Sequence, residues 1–268
     1  MIQVAVAGVA LRGPGLEGWE AARAVLAGEA AYEARELVLP PPAVLAPTER
    51  RRTGPVVRLA LLVAQEASAM AGVPPGSLRC VFGSSNGDGV VVCAILEALA
   101  GEGDPAGSYV SPTQFHNSVH NAAAGYWSIG TGSAQPATVL GCHDSTFAAS
   151  LLKAAAEVHA EGEPVLLCLY DVPIPEPLGR LRPTGAPFGA GLVLAPPGAG
   201  GLCRLRVGYD PAPPDPGADL PRDPALHALA RGNPAARALR LLEALARGGA
   251  QEVQVPYLDG RLTVAVLP

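Results

Sequence analysis

Residues 111–158, SPTQFHNSVHNAAAGYWSIGTGSAQPATVLGCHDSTFAASLLKAAAEV, decide how the chain folds. Their pattern runs helix, turn, buried strand, sharp elbow, helix. The strand is 137–141, the elbow is Gly141-Cys142-His143-Asp144-Ser145, and the last helix is 144–160. A side chain at such an elbow sits on the N-terminus of the following helix, where unpaired N–H groups and the helix dipole favour negative charge. Many enzymes put a nucleophile there; in this chain the position falls to Asp144.

Outward from this stretch, strands and helices alternate. Residues 2–9 predict a buried strand, and 16–26 a helix with Leu16, Trp19, Ala22 and Leu26 on one face. Residues 31–52 are irregular and Pro-rich, and 56–71 form a long helix with an apolar face. Residues 80–85 predict a strand ending in Ser84-Ser85-Asn86-Gly87-Asp88-Gly89, which lacks the Lys of a phosphate loop and reads as a turn into a helix over 90–100. In the 111–128 segment the second half, from Val119, reads as helical. Residues 164–171 are a nearly all-apolar strand of the doubly buried kind, and 189–195 and 202–209 are two more strands. This order predicts an α/β protein, layered α/β/α around a mixed central sheet.

Residues 1–209 thus form a core, and 210–224, DPAPPDPGADLPRDP, a Pro-rich connector. Residues 225–268 carry a helix capped by Asn233-Pro234, with a Leu239, Leu242 and Leu245 stripe, and a hairpin around Asp259-Gly260. Such a tail is too short for a core of its own and is expected to complete the main sheet.

The composition narrows the class. Of 268 residues, 49% are hydrophobic and 16% charged, which fits a compact chain and not a disordered one. The net charge of −5, without a long basic run, gives no footing for nucleic acid. Cys80, Cys93, Cys142, Cys168 and Cys203 are scattered and form no CxxC pair, so free thiols in a reducing, cytoplasmic setting are expected. The apolar N-terminus has no basic n-region and reads as a strand. No apolar run reaches the length of a membrane span.

Several motifs then fall into an order. They are VAVAGVALRGPGLEGWEAARAVLAGE from Val4, PVVRLALLVAQEASAMAGV from Pro55, Asn121-Ala122-Ala123-Ala124-Gly125, and GAGLVLAP from Gly189. In order and spacing the chain resembles the β-ketoacyl synthases of the thiolase-like superfamily over about its first two hundred residues. HNSVHNAAAGYWSI, from His116, more particularly resembles the ketosynthase-like proteins encoded with aryl-polyene and related type II polyketide genes. The resemblance implies a truncated thiolase-like fold. It also implies a dimer with a catalytic ketosynthase or with itself, a carrier-protein partner, and no cofactor.

Three departures qualify it. Aligning Asn121 on the family's Asn without a gap puts Asp144 at the nucleophilic cysteine and Cys142 two residues early. Phe188 replaces the acidic residue of the family's G-E-G-A-G. The half that carries the family's two catalytic histidines is nearly absent; after Gly191 the single histidine is His227.

Condensation needs a thiolate, and Asp144 cannot form a workable thioester. Asp144 or Ser145 therefore either caps the helix or, in the case of Asp144, fills the old acyl site as a fixed charge. Cys142 is either a buried thiol or a displaced nucleophile. His143 beside it should point the other way. His116 and His120, with Asn117 and Asn121, share one face if their segment is helical, at a spacing that suits a metal pair but lacks a third ligand. Interface or pocket packing is the plainer role for these four, and Phe147 and Phe188 join them as pocket or interface candidates. Tyr126 and Trp127 read as core or interface aromatics. The expected function is a non-condensing, chain-length-factor-like subunit. The alternatives are a small acyltransferase or thioesterase using Cys142 or Ser145, and a homodimeric carrier-protein docking module.

Overall fold

The computed structural model describes residues 1–101 and 109–268. Among the described residues nine strands form one mixed sheet: β1 (Ile2–Gly13), β2 (Leu16–Glu17), β3 (Arg79–Gly83), β4 (Ala137–Leu140), β5 (Val165–Asp171), β6 (Phe188–Ala195), β7 (Cys203–Asp210), β8 (Gln251–Tyr257) and β9 (Gly260–Leu267). The order is β4-β3-β5-β6-β1-β7-β9-β8, with β2 folded onto β1. β4, β3 and β5 are parallel; every other pairing is antiparallel. Helices on both faces of one mixed sheet make the layered α/β/α arrangement that the sequence pattern implied.

The helices are α1 (Trp19–Ala27), α2 (Pro47–Arg50), α3 (Pro55–Ala71), α4 (Gly89–Ala100), α5 (Pro112–Ser118), α6 (Ala122–Thr131), α7 (Thr146–Glu161), α8 (Leu178–Leu181), α9 (His227–Gly232) and α10 (Leu239–Arg247). One sheet face is covered by α3 and α6, the other by α7, α1 and α10. β5 is buried at every position: Val165, Leu167 and Leu169 pack under α7, while Leu166, Cys168 and Tyr170 pack under α3. β1 would break this alternation, since Val4, Val6, Val9 and Leu11 all join the α7 side. The register shift between Val6 and Gly8 resolves it, because one extra residue flips the parity of the strand. α3 lies unusually close to the sheet: a Cβ on Gly191 would sit 2.5 Å from the Val63 carbonyl oxygen.

Four sequence expectations shift. Leu16 belongs to β2, not to the first helix, though it is fully buried as its face required. The first half of the 111–128 segment is also helical. A reciprocal capping box between Ser111 and Gln114, with Pro112 at the first position, starts α5. The helix then stops at an extended Val119 before α6 begins. The elbow is a 3₁₀ turn, His143–Ser145, and α7 starts only at Thr146.

The C-terminal hairpin extends the sheet through β7-β9-β8. α10 packs on α1 and β8 through Leu239 and Leu242, which are fully buried. The two sheet edges differ: β4 is short and pairs with β3 alone, whereas β8 carries Pro256. Among the described residues no helix is long and apolar enough to cross a membrane.

Candidate functional site

The C-terminal ends of β3, β4 and β5 bring three loops together. At the centre is Asp171, the last residue of β5 and completely buried. Its Oδ1 accepts from Ser84 Oγ at 2.9 Å and from the Asn86 N–H at 3.0 Å, and its Oδ2 accepts from the Ser85 N–H at 3.2 Å. Burial pushes this carboxyl up to about 6 from an ordinary 3.8, against the pull of those three donors and of Arg182. The Ser84–Gly89 turn is therefore more than a connection. It solvates a buried acid, and Asp88 caps α4 by accepting from the Val91 N–H.

Arg182 continues the network. It donates to Ser85 Oγ at 2.9 Å, Asn86 Oδ1 at 3.4 Å and Asp144 Oδ1 at 2.6 Å. Arg237, from the tail, approaches the other Asp144 oxygen at 3.4 Å and Asp219 of the connector at 3.6 Å. Burial works to raise the Asp144 pKa. The Arg182 hydrogen bond and the charges of Arg237, Arg182 and His143 outweigh it and hold the carboxyl below its usual range. Asn233, also from the tail, donates to the carbonyls of Asp171 and Ala186 at 3.0 and 2.7 Å, and accepts from the Ala235 and Ala236 N–H groups.

These contacts correct the capping role expected of Asp144 and Ser145: neither side chain caps α7. The two arginines take the Asp144 carboxylate. Thr146 Oγ1 serves the turn instead, accepting from the Cys142 N–H at 3.0 Å and donating to the His143 carbonyl at 2.7 Å. The strained position of the elbow is His143, at φ 52°, with a largely exposed ring. Its Nδ1 lies 3.7 Å from Asp144. Cys142 is half-buried beside it.

The His116–His120 pair is not one helical face, because the chain breaks at Val119 between them. His116 meets the Tyr126 ring edge-on at 5.6 Å, while His120 Nε2 sits 3.0 Å from the Ser84 carbonyl oxygen. Gly141 makes room for that imidazole; a Cβ there would lie 2.9 Å from His120 Nε2. Asn117 is buried, donating to the Arg52 carbonyl and accepting from the Tyr126 hydroxyl. Asn121 is exposed. Phe147 and Phe188 are fully buried among core residues beneath the site and not at an open pocket or interface. Tyr126 and Trp127 are core residues. Among the described residues no three His, Cys, Asp or Glu side chains gather as metal ligands.

Sequence reasoning missed Asp171, Arg182 and Arg237; it marked Asn233 as a cap, which it is, but not as the tie to the end of β5. Asp171 carried a signal, an acid closing an otherwise apolar strand. The two arginines carried none, for they reach the site from segments far away in the chain.

A further feature is an apolar surface formed by α4 and α5. α4 is almost wholly apolar in sequence yet buries only Gly89 and Cys93. Leu96, Leu99, Phe115 and Val119 remain exposed on α4, on α5 and just after it, and the two helices touch.

The family described as "Beta-ketoacyl synthase, N-terminal domain" matches residues 19–225. The chain belongs to that family. Its fold extends the likeness beyond those residues. It is similar to a chain of the ketosynthase (ApeO) in complex with its chain length factor (ApeC) from Xenorhabdus doucetiae, at TM-score 0.74 and 20% identity, covering 99% of this chain and 100% of that one. A chain of AntDE:AntF, a type II polyketide synthase acyl-carrier protein in complex with its ketosynthase bound to the hexaketide, is similar at TM-score 0.73 and 14% identity, covering 99% and 98%. A chain of the ishigamide ketosynthase/chain length factor is similar at TM-score 0.68 and 14% identity, covering 99% of each. At such identities the likeness speaks to fold. No curated protein sequence matches significantly.

Proposed function

We propose that this chain is a non-condensing, chain-length-factor-like partner of a catalytic β-ketoacyl synthase in a cytoplasmic type II polyketide or fatty-acid-like pathway. One observation carries the reading: Asp144, which the gapless alignment on Asn121 puts at the family's nucleophile position, is an anion clasped by Arg182 and Arg237. A carboxylate already neutralised by two guanidinium groups does not load an acyl chain. His227, the single histidine after Gly191, is bonded to the Pro221 carbonyl and offers no counterpart to a catalytic pair.

The partner would dock on the β4 edge and the α4–α5 surface. Unpaired strand groups at a sheet edge, and exposed leucine and phenylalanine side chains, are the features a second subunit covers. The solved complexes similar in fold are described as ketosynthases with chain length factors or a carrier protein, which favours a ketosynthase partner served by a carrier protein.

The test is co-expression with candidate ketosynthases and size-exclusion chromatography, followed by incubation of the isolated chain with acyl-carrier-protein thioesters. A heterodimer and an unmodified mass are expected. A Cys142- or Ser145-dependent acyl adduct would instead support the acyltransferase or thioesterase alternative. A stable homodimer that ignores every ketosynthase would support the carrier-docking alternative.

A further inference from the structure

Just beyond Arg237, at the start of α10, is a concave place that the proposed function does not use. The connector around Pro221 and Arg222, with His227, Arg240, and Glu252 and Gln254 of β8, surrounds an open depression of about 580 Å³. Its helical wall carries surplus positive charge. Glu243, nearly completely buried behind it, accepts the Arg222 backbone N–H at 3.2 and 3.1 Å and pairs with Arg240 at 3.1 Å and Arg247 at 3.2 Å. That single carboxylate is thus committed to two guanidinium groups. Among the described residues the Arg222 guanidinium has no carboxylate within ion-pair distance and no acceptor. Burial drives the Arg240 pKa down from its ordinary value; Glu243 pulls it back, while Arg222 and Arg247 push it further down. On the α10 side three arginines, Arg222, Arg240 and Arg247, meet one glutamate, Glu243, while the second carboxylate of the depression, Glu252, stands on the β8 rim; a bound anion on the α10 side would relieve that local surplus.

We propose that this depression binds a small phosphate-bearing anion, gripped by Arg222 and Arg240. Guanidinium forks match the tetrahedral oxygens of a phosphate, whose several acceptors can engage both arginines at once. Glu252 on the opposite rim gives the site polarity, turning the phosphate toward α10 and a polar or cationic end toward β8.

Pyrophosphate is the probe. Titrate it into the full chain at constant ionic strength, read by calorimetry and by the shift in Tm. Arg222→Gln is the decisive variant, because its side chain supports nothing else; Arg240→Gln also removes a partner of the buried Glu243. Exposed Arg231→Gln is the control. Saturable binding is expected for the wild type and Arg231→Gln, weakened about tenfold or more in Arg222→Gln, as for the loss of one charge-assisted contact. Absence of saturable binding up to millimolar pyrophosphate, or equal binding by Arg222→Gln, overturns the proposal.

Discussion

Asp171 and Asp144 lie within one hydrogen-bond network but are held in opposite ways. Asp171 is buried and its folded pKa rises from 3.8 to about 6, so the folded protein holds that proton more tightly than the unfolded chain. Stability from this group is therefore lost as pH rises between those values, by on the order of 3 kcal/mol, and the loss is complete above them. Urea titrations of wild type and Asp171→Asn across pH 4–7 test this. The variant should gain on the wild type as pH increases, and a constant difference would mean that the carboxylate ionises normally. Asp144 has the reverse sign. Its arginine pairing contributes above the ordinary carboxylate range and fades on acidification through its lowered folded value. Because its side chain is 47% exposed, Asp144→Asn should cost only about 1 kcal/mol after solvent screening. The same substitution should not create acyl loading, which intact-mass measurement after incubation with carrier thioesters checks. The sequence marked Asp144 because an elbow is local. It could not mark Arg182 or Arg237, whose partners are decided by how strand ends and tail meet.

At the scale of elements, apolar periodicity carried far. β5, α3, α7 and the terminal hairpin all stand within a few residues of where their patterns put them. Errors arose where short-range hydrogen bonding overrode periodicity. The Ser111–Gln114 capping box nucleates α5, and the break at Val119 separates two histidines that a continuous helix would have aligned. Asn233 is the element-scale joint: its one buried side chain caps the turn into α10 and ties the tail to the ends of β5 and the loop before β6. Asn233→Ala should lower stability by about 2–4 kcal/mol, since it strands two buried carbonyls and two N–H groups. Denaturant melts should report it without a change in oligomeric state. Gly191→Ala should destabilise by about 1–3 kcal/mol, by driving a methyl into α3 at the Val63 carbonyl. A Tm equal to wild type would show that α3 gives way freely.

At the scale of the whole molecule, the family and layered fold were legible because their motifs recur in order. The proposed partner surface was not legible in the sequence: the 90–100 helix is almost wholly apolar, but its lack of cover is visible only in three dimensions. Leu99→Asp and Phe115→Asp fall on exposed side chains, so they should leave Tm nearly unchanged while abolishing co-elution with a ketosynthase. Retained co-elution would move the interface elsewhere on the chain.

The unequal sheet edges bear on stoichiometry. Pro256 has no N–H to offer a neighbouring strand, so β8 makes a poor template for sheet growth, while β4 remains receptive. Among the described residues β4 is thus the one sheet edge receptive to pairing, and growth of this sheet edge to edge would stop at a single mate.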